Sequence, residues 1–356
     1  MRGLGGNSRD KLCNVEAAGR TKRPAGLYFP LGRDQNKWVG TSVFNALCHT
    51  LVFGPSPAEQ VSFMTQLAVH RLRQGDTLLA FVGKGLPQVG AAITSAATAQ
   101  GQTVEHIARH SHLLVPAHLV QAQNKALTAD WLRQWVNSAQ NPVDDPGFGL
   151  WLEWVAEEWL GQWANTPSNT LGALLDGRAS GHALWTTLKA HTQERLIGVG
   201  HIIQTWGVRV VELTAGSIVV VDMPHINETE ETELVWGRVV RSAYNPCYDL
   251  LSSNPKISEN WAEILDPPKN QRPLTSWLFF HADPSSDVLG AAVSLAQARA
   301  VGRAITISMQ HYNPQWSEET KSVLGSFHTK ILTEVREGKV VMGRNLISYT
   351  PYHLPF

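Results

Sequence analysis

Cysteine is scarce in this chain: three residues, Cys13, Cys48 and Cys247, widely spaced and without a CxxC pair. Neither a disulfide framework nor a zinc knuckle is indicated, and the pattern fits a reducing cytoplasm. Charge is also scarce. Only 17% of the 356 residues are charged, below the roughly 25% usual for soluble domains. Thirty basic residues cancel thirty acidic ones, so no global field draws in nucleic acid or an anionic membrane. Contact with DNA would have to come from a local patch or from stacking aromatics. A surface short of charge points to one partly covered by a protein partner. Long apolar runs are missing too. None approaches the ~18–20 residues of a membrane span; the longest, such as Ile218–Val221 and Trp277–Phe280, have the length of buried strands. Residues 1–24 carry Arg2, Arg9, Lys11, Arg20, Lys22 and Arg23 but no apolar core of a secretory signal, and read as a flexible basic tail. The histidines are scattered, with no HExxH or His-x-His, so no metal site is expected, and there is no G-x-S-x-G elbow.

What is present is alternation. Leu47–Phe53 (LCHTLVF) reads as a buried strand running into Gly54-Pro55-Ser56-Pro57. Val61, Met64, Leu67, Ala68 and Leu72 then recur at helical spacing, with Gln60, Gln66, Arg71 and Arg73 off that stripe. Gln74-Gly75-Asp76 ends the helix, Leu78–Val82 is a second strand, and Gly83-Lys84-Gly85 turns into a helix over 88–100. Strand, helix, strand, helix with short connections predicts a parallel sheet. Further strands are expected at Val208–Leu213 and Ser217–Asp222, bracketing a hairpin-type Thr214-Ala215-Gly216, and at Trp277–Phe280, Ala304–Met309 and Lys339–Val341. Helices are expected over 230–243 and 289–300.

The middle of the chain differs. Trp131, Trp135, Trp151, Trp154, Trp159, Trp163 and Trp185 fall in a stretch with few β-branched runs, which reads as an inserted helical subdomain over 126–195. These tryptophans could stack on single-stranded nucleic acid, anchor a protein partner or fill a core. Between Trp131 and Trp163 the basic residue is Arg133, against Asp144, Asp145, Glu153, Glu157 and Glu158, a balance that favours core and protein docking over DNA. Trp151 and Trp154, off the Leu152–Val155–Trp159–Trp163 face, are the candidate docking pair.

The turn after the first strand is where a P-loop, G-x-x-x-x-G-K-[ST], would sit. Counted from Gly54, the last three positions are Glu59, Gln60 and Val61. Glu59 puts a carboxylate where the triphosphate charge would lie, Gln60 offers no positive charge, and Val61 has no oxygen for a metal. Losing two charge-assisted contacts costs roughly 3–6 kcal/mol, on the order of two to four decades in affinity. A loop that never bound phosphate explains residues 54–61 equally well when they are taken alone.

The order of segments resembles the ATPase domain of type IV secretion coupling proteins (the TraG/TraD type) and the related FtsK/HerA translocases. Phe29-Pro30-Leu31-Gly32-Arg33-Asp34 is similar to that family's PLG segment, and His49-Thr50-Leu51-Val52-Phe53-Gly54-Pro55-Ser56 to the first half of its phosphate loop. Arg73-Gln74-Gly75-Asp76 leads to Gly83-Lys84-Gly85, where Lys84-Gly85 matches and the family's acidic residue is missing. The family's Walker B, hydrophobic-hydrophobic-D-E-x-P, resembles Phe279-Phe280-His281-Ala282-Asp283-Pro284, with His281 and Ala282 in the acidic places and Asp283 one position late. Ala298-Arg299-Ala300-Val301-Gly302-Arg303, then Ile305–Met309 and Gln310, match its last motif. The resemblance covers about residues 28–110 and 205–335.

What the resemblance implies is a RecA-like α/β core over 25–125 and 196–345, interrupted by the helical insertion and ending in a tail over 346–356. Gln310 would be a sensor of the γ-phosphate, or only a capping or core amide in a chain without a phosphate site, and Arg299 and Arg303 would reach across a subunit interface, unless they lie on a solvated helix face. With both nucleotide motifs altered at their chemically indispensable positions, the expectation is a non-catalytic pseudo-ATPase that binds no cofactor. It would act as a docking or scaffold subunit of a secretion, conjugation or DNA-transfer machine, beside an active ATPase paralogue, in the cytoplasm or recruited by partners to the inner face of the membrane. The alternatives are an active ATPase using ATP and magnesium through divergent motifs, and a nucleic-acid-binding module.

Overall fold

A computed structural model describes residues 29–34, 37–41, 49–54, 57–83, 86–137, 143–163, 169–177, 181–213, 216–223, 231–243, 275–280, 303–309, 318–333, 338–342 and 345–351. Two compact units divide the chain. The first comprises 1–105, 214–220 and 255–356, the second 106–213 and 221–254. The span 126–195 read as an insertion lies within the second unit, which also takes in 106–125, 196–213 and 221–254.

In chain order the described elements begin with β1 (Phe29–Asp34), β2 (Lys37–Thr41), β3 (Thr50–Phe53), α1 (Pro57–Arg73), β4 (Thr77–Gly83), α2 (Pro87–Thr98) and β5 (Glu105–Ile107). Next come β6 (His112–Pro116), α3 (Ala117–Ala122), α4 (Lys125–Val136), α5 (Pro146–Gln162), α6 (Asn169–Asp176), α7 (Ala183–Thr187), α8 (Ala190–Gln204) and β7 (Gly207–Val211). The chain closes with β8 (Ile218–Met223), α9 (Glu231–Ala243), β9 (Thr275–Phe280), β10 (Arg303–Met309), α10 (Glu318–Gly325), β11 (Thr329–Leu332), β12 (Gly338–Met342) and β13 (Asn345–Pro351).

The first unit is built on one mixed sheet in the order β2-β1-β13-β12-β11-β3-β10-β9-β4-β8. Its centre is parallel, with β11, β3, β10, β9 and β4 running the same way. The apolar runs TLVF and TLLAFVG have no polar alternation because both of their faces are covered. At one side β11, β12, β13, β1 and β2 continue as antiparallel neighbours. Val61, Met64, Leu67, Ala68 and Leu72 of α1 pack against Val52, Leu78, Ala80, Val82, Leu278 and Ile331, as the helical spacing predicts. Gly75, at φ 80°, ends α1 in the left-handed conformation that glycine adopts without steric cost.

Three sequence readings change. Residues 345–351 form a strand rather than a tail, because β13 finds hydrogen-bonding partners on both sides in β12 and β1. The bracketing runs near 208–213 and 217–222 do not make a hairpin: β7 pairs with β6 in a separate parallel sheet, while β8 joins the main one. Gln60 and Arg71 lie off the apolar stripe of α1 and yet are buried. Arg303 opens β10 and is itself buried, so it does not lie on a solvated helix face. The helix expected over 289–300 lies outside the described residues.

The second unit is mainly helical. Asn124 caps α4 by accepting from the Leu127 amide at 3.1 Å. Asp145 caps α5 through Oδ1 to the Gly147 amide at 3.0 Å, with Pro146 at the first helical position. Trp131 and Trp159 stack at 5.9 Å between α4 and α5, both fully buried. α6 and α8 cross so closely that a Cβ on Gly172 would meet the Gly200 carbonyl oxygen at 2.6 Å, and one on Gly200 would meet that of Gly172 at the same distance.

Candidate functional site

Four adjacent parallel strands end side by side in the first unit. Phe53 of β3 pairs with Met309 of β10, Phe279 of β9 lies opposite Ile307, and Phe280 lies opposite Val82 of β4. From β3 the chain crosses through α1 to β4 on one side, whereas β11 lies on the other. That is the topological switch at which open α/β sheets bind ligands, outside the carboxyl ends of the strands. The sequence-predicted residues Pro55, Ser56, Lys84, His281, Ala282, Asp283 and Gln310 follow these strand ends, and they lie outside the described residues, as does Arg299.

Gly54, Glu59, Gln60 and Val61 are described. Gly54 is buried, and a Cβ there would stand 2.1 Å from the Thr333 hydroxyl and 3.1 Å from the Thr333 carbonyl oxygen. Thr333 is drawn in by the end of β3: its amide donates to the Phe53 carbonyl at 2.7 Å and its hydroxyl to the same oxygen at 3.1 Å. A side chain at this position would force Thr333 to shift. Gln60 is fully buried. Its Nε2 donates to the Gly54 carbonyl at 2.5 Å and to the Met309 carbonyl at 2.9 Å, tying the loop to the end of β10. Both amide hydrogens are thereby engaged, and Oε1 meets no donor among the described residues. A carboxamide in that role is neutral and presents its remaining capacity as an acceptor.

Glu59 lies half-buried in the first turn of α1, where an acidic side chain is favoured by the helix dipole. Val61 joins the apolar core. Beyond it an open groove of about 500 Å³ runs between α1 and α2, lined by Pro57, Ala58, Val61, Ser62, Thr65, Leu86, Gln88 and Ala92. None of these described lining residues carries a charge.

His49, in the segment before the loop, has a structural place. It is buried at φ 63°, its Nδ1 accepts from the Ile305 amide at 3.2 Å, and its carbonyl accepts from the Thr329 amide at 3.3 Å. It thus holds the start of β3 to both neighbouring strands. At the opposite end of the strands Arg71 donates to Ser276 Oγ at 2.7 Å and to Thr306 Oγ1 at 3.3 Å, and Ser276 Oγ donates to Asp76 at 3.0 Å. Sequence reasoning missed this network because its members are some two hundred residues apart.

Of the docking pair in the second unit, Trp151 is fully buried and therefore serves the core. Trp154 is half-buried, 4.6 Å from Trp151 and stacked on His182 at 4.5 Å. Among the described residues no cluster of three metal-ligating side chains occurs, and no helix is long and apolar enough to cross a membrane.

No protein-family model matches the chain, and no curated protein does. Solved structures do. VirB4 of Thermoanaerobacter pseudethanolicus superposes with a TM-score of 0.53 over 93% of this chain and 98% of that one, at 13% identity. The plasmid coupling protein TrwB in complex with ADP and Mg2+ gives 0.53 over 96% and 84%, also at 13% identity. The unbound monoclinic form of TrwBdeltaN70, a bacterial conjugative coupling protein, gives 0.57 over 94% and 91%, at 12% identity. This chain has the RecA-like α/β fold of VirB4 and of the coupling protein TrwB.

Proposed function

We propose that this protein is a nucleotide-independent component of a secretion, conjugation or DNA-transfer machine, acting as a docking or scaffold subunit. The fold supports the setting, since it is shared with a conjugative coupling protein and with VirB4. One observation carries the nucleotide-independent part: the residue at the lysine position is Gln60, and its amide is spent on Gly54 and Met309. TrwB was solved with ADP and Mg2+. In the present chain the corresponding turn offers Glu59, Gln60 and Val61, which supply neither the positive charge nor the metal-holding hydroxyl of that chemistry. With no such chemistry, the subunit's role is in binding other proteins of the machine, among them an active ATPase paralogue.

Calorimetry with ATP and ADP in the presence of magnesium tests the reading. The expected outcome is no binding heat and no thermal stabilisation up to millimolar nucleotide. Micromolar binding overturns it. Hydrolysis abolished by Lys84→Ala or Gln310→Ala would identify an active ATPase with divergent ligands instead.

A further inference from the structure

α5 contacts α4, α6 and α7, and Phe148, Leu152, Val155 and Trp159 lie on its buried side. The other side carries an apolar stripe of its own. Leu150, 56% exposed, is the most open large apolar side chain among the described residues. Trp154, half-buried and braced by the His182 ring, stands one turn further on. Gly161 falls two turns beyond it, with nothing within 4 Å of the place its Cβ would take. At the helical repeat these three lie within about 40° of one another. Glu157 shares the stripe, and Glu153 and Glu158 flank it on opposite sides. Glu153 and Glu157 are exposed, Glu158 half-buried. Lys125 of α4 meets these acids, its Nζ 2.6 Å from Glu157 Oε2, while Arg133 is balanced by Asp130 at 3.6 Å. Glu153 also borders an open pocket of about 460 Å³ at the start of α4, with Gln123, Asn124 and Lys125.

We infer that the outer face of α5 receives a cationic amphipathic helix of a partner protein. The partner's apolar residues, three and four positions apart, lie over Leu150 and Trp154, and its lysines or arginines beside Glu153, Glu157 and Glu158. Gly161 lets the partner come close at the far end of the stripe. Charge selects this occupant. An acidic face repels nucleic acid and anionic membranes. A second copy of this chain would set the same carboxylates against each other. Residues 1–24 are basic, but Gly3, Gly5, Gly6 and Gly19 make them a poor helix. The inference rests on the docking role proposed above and not on the state of the nucleotide turn.

Fluorescence anisotropy with the full chain tests it. The probe is a labelled peptide of two Lys-Leu-Ala-Lys-Lys-Leu-Ala repeats, and its control carries glutamate in place of every lysine. At low salt the lysine peptide is expected to bind at about 10–100 μM and the glutamate peptide not to bind. Leu150→Ser should weaken the probe by about tenfold. Glu153→Gln with Glu157→Gln should weaken it by about fivefold and make its salt dependence shallower. Lys125→Ala, which releases Glu157, should strengthen it by about twofold. All these positions are exposed, so the melting temperature should hold. No binding of the lysine peptide overturns the proposal. So does equal binding of the glutamate peptide, or binding that none of these variants changes. Self-association without peptide that Leu150→Ser dissolves would assign the face to a second copy and overturn it too. Micromolar ATP binding beside intact peptide binding would sink the nucleotide-independent reading and leave this face standing; the reverse pair of results would do the opposite.

Discussion

The two units join distant parts of the chain by different means. In the first, polar side chains do it: Arg71 reaches Ser276 and Thr306, Ser276 reaches Asp76, and Gln60 reaches Met309. In the second, ring contacts carry more of it, with Trp131 on Trp159, Trp151 against Trp185 and Trp206 against Trp236, beside a part-buried ion pair between Arg109 and Glu233. A buried hydrogen bond is directional, so its loss strands a partner that water cannot reach. A ring contact is broad and tolerates a change of shape. The first unit should therefore be brittle at a few polar positions, and the second sensitive to volume where Trp131 meets Trp159.

Arg71→Met should have the largest effect. It removes a buried cation shared among Ser276 and Thr306 near Asp76, and about 3–5 kcal/mol of stability should be lost in urea denaturation. A cost below 1 kcal/mol would mean that the network is not what holds α1 to the sheet. Gln60→Ala comes next, at about 1–3 kcal/mol, because the Gly54 and Met309 carbonyls are left buried without their donor. The same denaturation measurement reads it.

Asp145 sharpens the comparison from the other side, as a polar anchor within the aromatic unit. Burial disfavours its charge, but the Lys189 amide, the Thr192 hydroxyl, the Gly147 amide and the Lys189 charge outweigh that and hold its carboxyl below the ordinary value of 3.8. The folded form therefore gains stability that is fully present above that value and is lost as pH falls through the lowered one. Asp145→Ala should cost about 1 kcal/mol at neutral pH. It should also flatten the decline in stability below pH 3.8, measured by denaturation across an acid series.

The smallest effect is expected from Trp159→Phe. Trp159 is fully buried, and its Nε1 has no acceptor among the described residues. The ring area lost and the unpaired donor removed work in opposite directions, so the change should stay within about 1 kcal/mol. A loss of several kcal/mol would show that the indole nitrogen has a partner after all, and that the second unit is no less polar in its bonding than the first.

Much of the first unit was legible because its strands are short, apolar and bounded by turn residues. β3, β4, β9 and β10 were found from runs such as LLAFV and WLFF, and α1 from Val61, Met64, Leu67 and Leu72. β1 was missed because Pro30 and Gly32 break the strand pattern, and its register with β2 shifts between those two residues. β5 and β6 were missed because three and five residues make too weak a period. Trp151 was read as a surface anchor from its angle on one helix. It is buried because it lies on the same side of α5 as Phe148, Leu152, Val155 and Trp159, and Trp185 packs against it. At the loop, residue identities at 59–61 were plain from the chain; where their side chains went was not.

The sequence by itself determined the alternation of strand and helix, the neutral and cysteine-poor character, and the glutamate, glutamine and valine that stand at 59–61 after the first turn. Those are local properties, carried by side-chain period and residue type. Only the tertiary structure decided that Gln60 bonds across 249 positions to Met309, that Thr333 closes on Gly54, and that β7 pairs with β6 rather than with β8. Each depends on which strands become neighbours, and strand order follows from packing the whole sheet rather than from any stretch of chain within it.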